Sequence, residues 1–270
     1  MNLVDFVFRS KEFFKSLFHN LLDRKIHNTQ KKWMQNSNIL FTQIKSGTTF
    51  LTNFFAAYNY LQYNFKGEFD LSKPEKYGAF RITRSNFKDI KNNIDDFNKR
   101  FNNSMQFLFV THHRQHMPDN FYPKTKIIMT SREKVDWLDS ALDFKYTKRD
   151  KKLSRKKAIN LLLKRFKNTD IDQKLIQKNH RLSITLTYPC LINDQDLINA
   201  FHFLGIKLNL DQLKKIKKMI SKEKIKKVEK EIGHTLIAGK FLKNSSFISE
   251  NNNNKSNLTI EEINYIKNYF

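Results

Sequence analysis

A short loop with one lysine, one glycine and three hydroxyl side chains is the first place in this sequence where chemistry is expected. An apolar run at 39–41 leads to Lys45-Ser46-Gly47-Thr48-Thr49, after which apolar residues resume. This order predicts a buried strand, a tight loop and the first turn of a helix. Gly47 lets the backbone approach an anion, the helix start offers N–H groups, and Lys45 adds a positive charge. The sequence therefore predicts a loop that binds phosphate or sulfate.

The loop differs from the Walker A sequence. Walker A needs two glycines, with lysine directly after the second and then serine or threonine, whereas Lys45 precedes the glycine of this loop by two positions. The segment instead resembles the 5′-phosphosulfate loop of the sulfotransferases, which is typically written PKSGTTW. Ile44 stands at the proline position of that loop and Phe50 at the tryptophan position. Taken alone, the segment is also compatible with an ordinary turn between a strand and a helix.

A second motif, at 126–146, supports the same interpretation. Its first residues form an apolar run that is typical of a central strand, and Arg132 follows at the carboxyl end of that run. A helical pattern comes next, with Ser140 eight residues after Arg132. This arrangement resembles the 3′-phosphate motif of the sulfotransferases. Lys134 stands where that family usually has proline, and a surface ion pair is the alternative role for the arginine.

Three histidines follow a third apolar run, at 107–110, and offer a candidate general base. The segment resembles the K-T-H-x-P region of the sulfotransferases, in which the histidine is the base, and the alignment places that histidine at His112. His113 and His116 are close enough to compete for the role. A surface cluster is the alternative, and a metal site is disfavoured because no cysteine or carboxylate ligand lies at a suitable spacing.

One weaker match and one departure from the family pattern lie in the second half of the chain. The segment 182–191 resembles the family's strand that ends in Y-E-D-L, which would place Tyr188 beside the nucleotide. The R-K-G loop that grips the 3′-phosphate in the family has no counterpart here, because four asparagines occupy 251–254. Lys240 and Lys243 are candidate replacements, and the alternative is that Arg132 and Ser140 hold the phosphate largely alone.

The resemblance implies sulfuryl transfer from 3′-phosphoadenosine 5′-phosphosulfate to an acceptor hydroxyl on a glycan, a lipid or a small alcohol. It assigns Lys45 to stabilising the leaving phosphate and His112 to removing the proton of the acceptor. No metal is expected, since fixed cations and dipoles provide the electrostatic stabilisation. The residues that the resemblance assigns to the nucleotide are Lys45, Ser46, Gly47, Thr48, Thr49, Phe50, Arg132, Ser140 and Tyr188.

Two other functions stay open from the sequence. A nucleotide-dependent phosphotransferase on a similar fold would need Mg²⁺ held by a carboxylate at a strand end, and no apolar run here ends in such an aspartate. A non-enzymatic basic protein that binds polyanions would show a steep salt dependence and no dependence on nucleotide.

The order of the apolar runs predicts the fold class. Runs at 38–43, 79–83, 107–111, 126–131 and 183–187 alternate with helical stretches. This order favours a single α/β domain with a mostly parallel central sheet flanked by helices, and the resemblance narrows it to the P-loop NTPase-like sulfotransferase fold. The candidate residues Lys45, His112, Arg132 and Tyr188 each come just past one of these runs, where such sheets bind their ligands.

Domain bounds and acceptor loops are predicted from the same pattern. We assign 1–37 to an amphipathic helical segment that packs on the domain and 38–270 to the sulfotransferase-like domain. Contacts with the acceptor are expected in loops at 64–72, 86–104 and 147–155.

Composition restricts the partners and the compartment. The 270 residues include one cysteine, Cys190, which excludes an intramolecular disulfide, so a cytoplasmic location is expected. The formal net charge of +24 favours an acidic acceptor. The excess of lysine occurs together with an excess of Asn, Ile and Phe, which points to codon bias and weakens this inference. No nucleic-acid partner is expected. No segment approaches the ~18 apolar residues of a transmembrane helix. Weak contact of the amino-terminal segment with a membrane surface is an alternative to its packing on the domain.

Overall fold

Five parallel strands form the central sheet of this protein in its computed structural model, in the order β2-β3-β1-β4-β5. The strands are β1 (Ser37–Thr42), β2 (Ala79–Arg81), β3 (Phe107–Thr111), β4 (Lys126–Ser131) and β5 (Ser183–Thr187). The central strands β3 and β1 are buried along their whole length and β4 along most of it, which explains why their sequences are continuous apolar runs. The predicted fold class is confirmed, and the sheet is parallel throughout.

The structure describes residues 37–82, 87–112, 114, 117, 124–142, 154–188, 193–232, 234–235, 239–243 and 258–269. The interpretation of 1–37 as an amphipathic helical segment therefore lies outside the described residues, except for Ser37, which is the first residue of β1. So do those of His113, His116 and Cys190, and that of the acceptor loop at 147–153.

Helices connect the strands and cover both faces of the sheet. They are α1 (Thr48–Gln62), α2 (Phe87–Arg100), α3 (Lys134–Leu142), α4 (Arg155–Asn179), α5 (Asp194–Phe203), α6 (Leu210–Met219), α7 (Lys222–Ile232) and α8 (Ile260–Lys267). A 3₁₀ helix (Pro74–Tyr77) precedes β2, and a two-stranded antiparallel hairpin of β6 (His234–Thr235) and β7 (Gly239–Lys243) follows α7. Lys240 and Lys243 both lie in β7.

Alternation of side chains along β1 divides the core between the two faces of the sheet. Leu40 belongs to a cluster with residues of α1, α5 and α6, including Phe54 and Phe201. Ile39 and Phe41 belong to the opposite cluster, which is formed with α2 and the end of α4. The sheet is thus held from both sides, and its carboxyl edge is a rigid base for the loops that follow the strands.

The prediction of a loop at 86–104 is wrong for most of this range, because helix α2 occupies 87–100. Ile90, Ile94 and Phe97 recur at helical spacing and are buried against the sheet. Most other positions of this helix are polar, so its apolar stripe is narrow and the polar residues dominated the sequence pattern.

Candidate functional site

The carboxyl ends of four adjacent strands carry the predicted site residues. The strand order places β3, β1, β4 and β5 side by side. Lys45 lies in the loop after β1, His112 directly follows β3, Arg132 follows β4, and Tyr188 follows β5. Parallel strands share their carboxyl edge, so residues that are far apart in sequence meet at the edge where α/β proteins bind ligands.

The loop between β1 and α1 has a curled backbone. Gly47 has a φ of 90° and Lys45 a φ of 65°, both in the left-handed region. Glycine adopts this conformation without strain, whereas at a lysine it costs about 1–2 kcal/mol. Backbone strain of this kind persists where surrounding contacts impose it, and a curled segment next to a helix start directs successive N–H groups toward one anion.

The first turn of α1 completes the anion-binding geometry. The N–H of Leu51 donates to the Gly47 carbonyl at 3.0 Å, which starts the bonding pattern of the helix. The N–H groups of residues 48–50 precede that bond and have no partner within the helix. Together with the positive end of the helix dipole, such groups are chemically able to bind a phosphate or sulfate group.

Side chains from the second motif hold this loop in place. The Trp137 Nε1–H donates to the Ile44 carbonyl at 2.5 Å, and the Arg132 guanidinium donates to the Lys45 carbonyl at 3.3 Å. The backbone N–H of Arg132 also donates to the side-chain oxygen of Gln43, at 3.1 Å. Three hydrogen bonds therefore join the two motifs that sequence analysis singled out.

The three hydroxyl groups of the loop have different surroundings. Ser46 is only 1% exposed, and its hydroxyl donates to a carbonyl within the loop and lies 2.5 Å from the hydroxyl of Thr130. The Thr48 hydroxyl donates to the Thr42 hydroxyl at 2.8 Å. The Thr49 hydroxyl oxygen is buried and has no hydrogen-bond partner among the described residues. Ser46 and Thr48 thus use their hydroxyls to stabilise the loop, whereas the hydroxyl of Thr49 does not take part in these bonds.

Arg132 connects the loop to Tyr188. Its guanidinium carbon lies 4.5 Å from the centre of the Tyr188 ring, a distance typical of a cation–π contact. Its Nε is buried, and in the described part of the chain no acceptor reaches it. An unpaired buried donor costs about 1–3 kcal/mol, and an anionic oxygen of a ligand would remove that cost. The unsatisfied atoms of Arg132 and Thr49 therefore fit a ligand that carries phosphate groups.

Phe50 and Ser140, which sequence analysis also assigned to the nucleotide, are half-buried. Phe50 lies in the first turn of α1, with its ring centre 5.8 Å from that of Phe54. Ser140 lies in α3, and among the described residues no hydrogen bond joins it to Arg132. The predicted roles of both residues in nucleotide binding stay predictions.

The imidazole of His112 lies within hydrogen-bond distance of Thr42, the last residue of β1. Its Nδ1 lies 2.8 Å from the hydroxyl oxygen of Thr42 and 3.0 Å from the carbonyl oxygen of the same residue. Because the Thr42 hydroxyl also accepts from Thr48, a chain of hydrogen bonds runs from the first turn of α1 to the imidazole. Thr42 was missed by sequence analysis. Its signal was a polar residue at the end of a buried apolar run, immediately before the loop.

Among the described residues, no group of three or more His, Cys, Asp and Glu side chains is placed to hold a metal ion. In the same ranges, no helix is long and apolar enough to cross a membrane.

The all-parallel sheet, with the loop after β1 and Arg132 at its carboxyl edge, gives an α/β protein whose fold is similar to that of sulfotransferases of known structure. Retinol dehydratase, in complex with androsterone and inactive cofactor PAP, matches with a TM-score of 0.53 and 15% identity over 86% of this chain and 78% of that chain. Mouse sulfotransferase SULT7A1, complexed with PAP, matches with a TM-score of 0.51 and 17% identity over 85% of this chain and 78% of that chain. At these identities the likeness shows the fold alone. No family model matches the sequence, and no curated protein matches it.

Proposed function

We propose that the protein is a sulfotransferase that moves a sulfuryl group from 3′-phosphoadenosine 5′-phosphosulfate to an acceptor hydroxyl. The observation that carries the proposal is the hydrogen bond from Arg132 to the loop between β1 and α1. Next to this bond, the buried Nε of Arg132 and the hydroxyl of Thr49 have no hydrogen-bond partner among the described residues. A donor that carries phosphate at both the 3′ and the 5′ position offers acceptors to both. The two solved structures of similar fold, each containing PAP, add support.

The loop and the second motif divide the donor between them. The N–H groups at the start of α1 and the hydroxyl of Thr49 bind the 5′-phosphosulfate, and Arg132 and Ser140 bind the 3′-phosphate. Phe50 and Tyr188 contact the adenosine. Ser46, Gly47 and Thr48 contribute through the backbone, because glycine permits the close approach and the two hydroxyls bond within the protein.

Lys45 and the loop N–H groups stabilise the leaving group. As the bond between sulfur and the phosphate oxygen breaks, that oxygen gains negative charge, and a lysine with fixed dipoles around it lowers the energy of this charged state. The charge exists mainly in the transition state, so these groups accelerate transfer more than they tighten binding.

His112 acts as the general base. Its imidazole takes the proton of the acceptor hydroxyl while the acceptor oxygen forms a bond to sulfur and the bond from sulfur to the donor phosphate breaks. The products are the sulfated acceptor, adenosine 3′,5′-bisphosphate and a protonated histidine, which releases its proton to solvent. The acceptor is a glycan, a lipid or a small alcohol.

Nucleotide binding tests the proposal directly. Adenosine 3′,5′-bisphosphate should raise the melting temperature, and at a hundredfold excess over Kd the gain of about 2.7 kcal/mol corresponds to roughly 5 °C or more. ADP lacks the 3′-phosphate and should stabilise distinctly less. Arg132→Ala should remove the difference between the two nucleotides, whereas Lys214→Ala, on the exposed face of α6, should preserve it. If ADP and ATP with Mg²⁺ each stabilised the protein as much as adenosine 3′,5′-bisphosphate does, a phosphotransferase would be favoured. A screen of acceptor pools with labelled sulfate donor then measures the activity.

A further inference from the structure

We infer that Thr42 is a positioning residue that fixes the tautomer of His112, so that Nε2 is the nitrogen that accepts the proton of the acceptor hydroxyl. The inference rests on the proposed function, because it supplies a partner for the proposed base. Thr42 is the last residue of β1 and is fully buried. Its position follows from strand pairing. Phe41 pairs with Thr111 in the parallel register of β1 and β3, and Thr42 and His112 are the next residues of the two strands.

The carbonyl oxygen of Thr42 decides which imidazole nitrogen carries the proton. This oxygen lies 3.0 Å from Nδ1 of His112. A carbonyl oxygen accepts and cannot donate, so the contact is a hydrogen bond only when Nδ1 is protonated. In a neutral histidine the lone pair then resides on Nε2. The opposite tautomer would place a lone pair of Nδ1 against the lone pairs of the carbonyl at the same distance.

The hydroxyl of Thr42 provides a second acceptor for the same N–H. Its oxygen lies 2.8 Å from Nδ1 and also accepts a hydrogen bond from the Thr48 hydroxyl. When His112 takes up a proton, its positive charge spreads over both ring nitrogens, and the two oxygens of Thr42 stabilise the charge at Nδ1. A buried carboxylate performs this orienting task in the serine protease triad. In this protein the task falls to a neutral residue that is itself bonded to the phosphate-binding turn.

The tautomer can be read by nitrogen NMR on the full chain labelled at histidine. The spectrum is recorded without nucleotide at pH 8, above the ordinary histidine pKa of ~6.5, and the signals of His112 are assigned by their loss in His112→Gln. We expect the shift of a protonated nitrogen at Nδ1 and that of a bare nitrogen at Nε2. A bare Nδ1, which the Thr42 hydroxyl could bind only as a donor, would overturn the inference.

Two variants separate positioning from folding. Thr42→Val removes the hydroxyl but retains the shape and the carbonyl, and it should lower kcat about tenfold because one hydrogen bond to a charged group is lost. Thr42→Ser restores the hydroxyl and should recover most of kcat. An unchanged kcat in Thr42→Val would contradict the role of the hydroxyl. If Thr42→Val fails to fold, the wild-type tautomer alone decides. Failure of adenosine 3′,5′-bisphosphate to bind would overturn the proposed function instead, and the tautomer measurement does not depend on it.

Discussion

Lys45 and Arg132 are both cationic residues of the loop region, but the proposed reaction uses their charges at different stages. Lys45→Ala should lower kcat about a hundredfold or more, since the charge on the leaving oxygen arises mainly in the transition state. Arg132→Ala should mainly raise the Kd of adenosine 3′,5′-bisphosphate, because the 3′-phosphate carries the same charge before and during transfer. Steady-state kinetics and calorimetric titration of both variants measure the two effects.

A matched control for these variants is Lys178→Ala, which removes one positive charge from an exposed position in the last turn of α4. It should leave both kcat and Kd unchanged. If Lys45→Ala retained the wild-type kcat, the assignment of Lys45 to the leaving group would be wrong.

His112 is the proposed general base, so proton removal in the proposed reaction depends on it. His112→Ala should lose about a hundredfold to ten-thousandfold in rate, the range of positioned general-base catalysis. It should still bind adenosine 3′,5′-bisphosphate normally, because the base contacts the acceptor. His113→Ala and His116→Ala serve as comparisons and should lose much less. An inactive His113→Ala with an active His112→Ala would move the base by one position.

At the scale of elements, the turn from β1 into α1 makes the site. Gly47 has a φ of 90°, so Gly47→Ala should lower the free energy of unfolding by about 1 kcal/mol and also weaken binding of adenosine 3′,5′-bisphosphate, as the added Cβ disturbs the curled loop. Gly67 is a suitable comparison, since its φ is 84° and no atom lies within 4 Å of an added Cβ. Gly67→Ala should show the stability loss alone. If the two variants bound the nucleotide with equal affinity, the proposed role of the loop in nucleotide binding would be contradicted. Denaturant unfolding and titration measure both quantities.

The strands were predictable because burial imposes a simple pattern on them. The predicted bounds of β3, β4 and β5 are those observed, and β1 is displaced by one residue at each end. Each is a short run that must be apolar or β-branched to lie within a parallel sheet. Helix α2 was missed because only Ile90, Ile94 and Phe97 signal it among polar residues. Those three residues do have the spacing of a helix, so the signal was present but weak.

The contacts that assemble the site were beyond sequence reasoning. Thr42 and His112 are adjacent only because β1 lies beside β3, and Trp137 reaches Ile44 only because α3 follows β4 on the other side of β1. A sequence predicts which segments are strands, but their order in the sheet depends on how whole helices pack. Motif spacing therefore identified the loop and Arg132, and it missed the residues that hold them together.

At the scale of the whole molecule, the formal net charge of +24 is a source of self-repulsion. Raising NaCl from 0.1 M to 1 M shortens the Debye length from about 10 Å to about 3 Å, so the melting temperature should rise with salt. Differential scanning calorimetry measures this. A variant with Lys214→Glu and Lys218→Glu on α6 should depend less on salt. A melting temperature that falls with NaCl in the wild type would show that attractive ion pairs outweigh the repulsion.

Helix α8 packs against α3 and α4, and an ion pair between Arg155 and Glu262 joins it to α4. Ile266 of α8 is buried in one cluster with Trp137, so the helix supports the same side chain that holds the loop between β1 and α1. Glu262 accepts two hydrogen bonds from the Arg155 guanidinium, at 2.7 and 2.9 Å, and it forms a capping box with Thr259. These bonds, that from Arg155 first, lower the pKa of the Glu262 carboxyl.

Because the pKa of Glu262 is lowered by folding, its contribution to stability is present above the ordinary glutamate pKa and is lost as pH falls through the folded value. Glu262→Gln should therefore destabilise the protein at pH 7 by about 1 kcal/mol, a figure that allows for the partial exposure of the Glu262 and Arg155 side chains, 19% and 36%. The difference from wild type should shrink as pH falls below the ordinary glutamate pKa of ~4.3. Glu231→Gln, which loses the looser 3.8 Å pair with Lys227, should show little effect at either pH. Urea unfolding of the three proteins at several pH values measures these differences. If the loss in free energy of unfolding caused by Glu262→Gln stayed constant with pH, the carboxylate charge would not stabilise the packing of the helix.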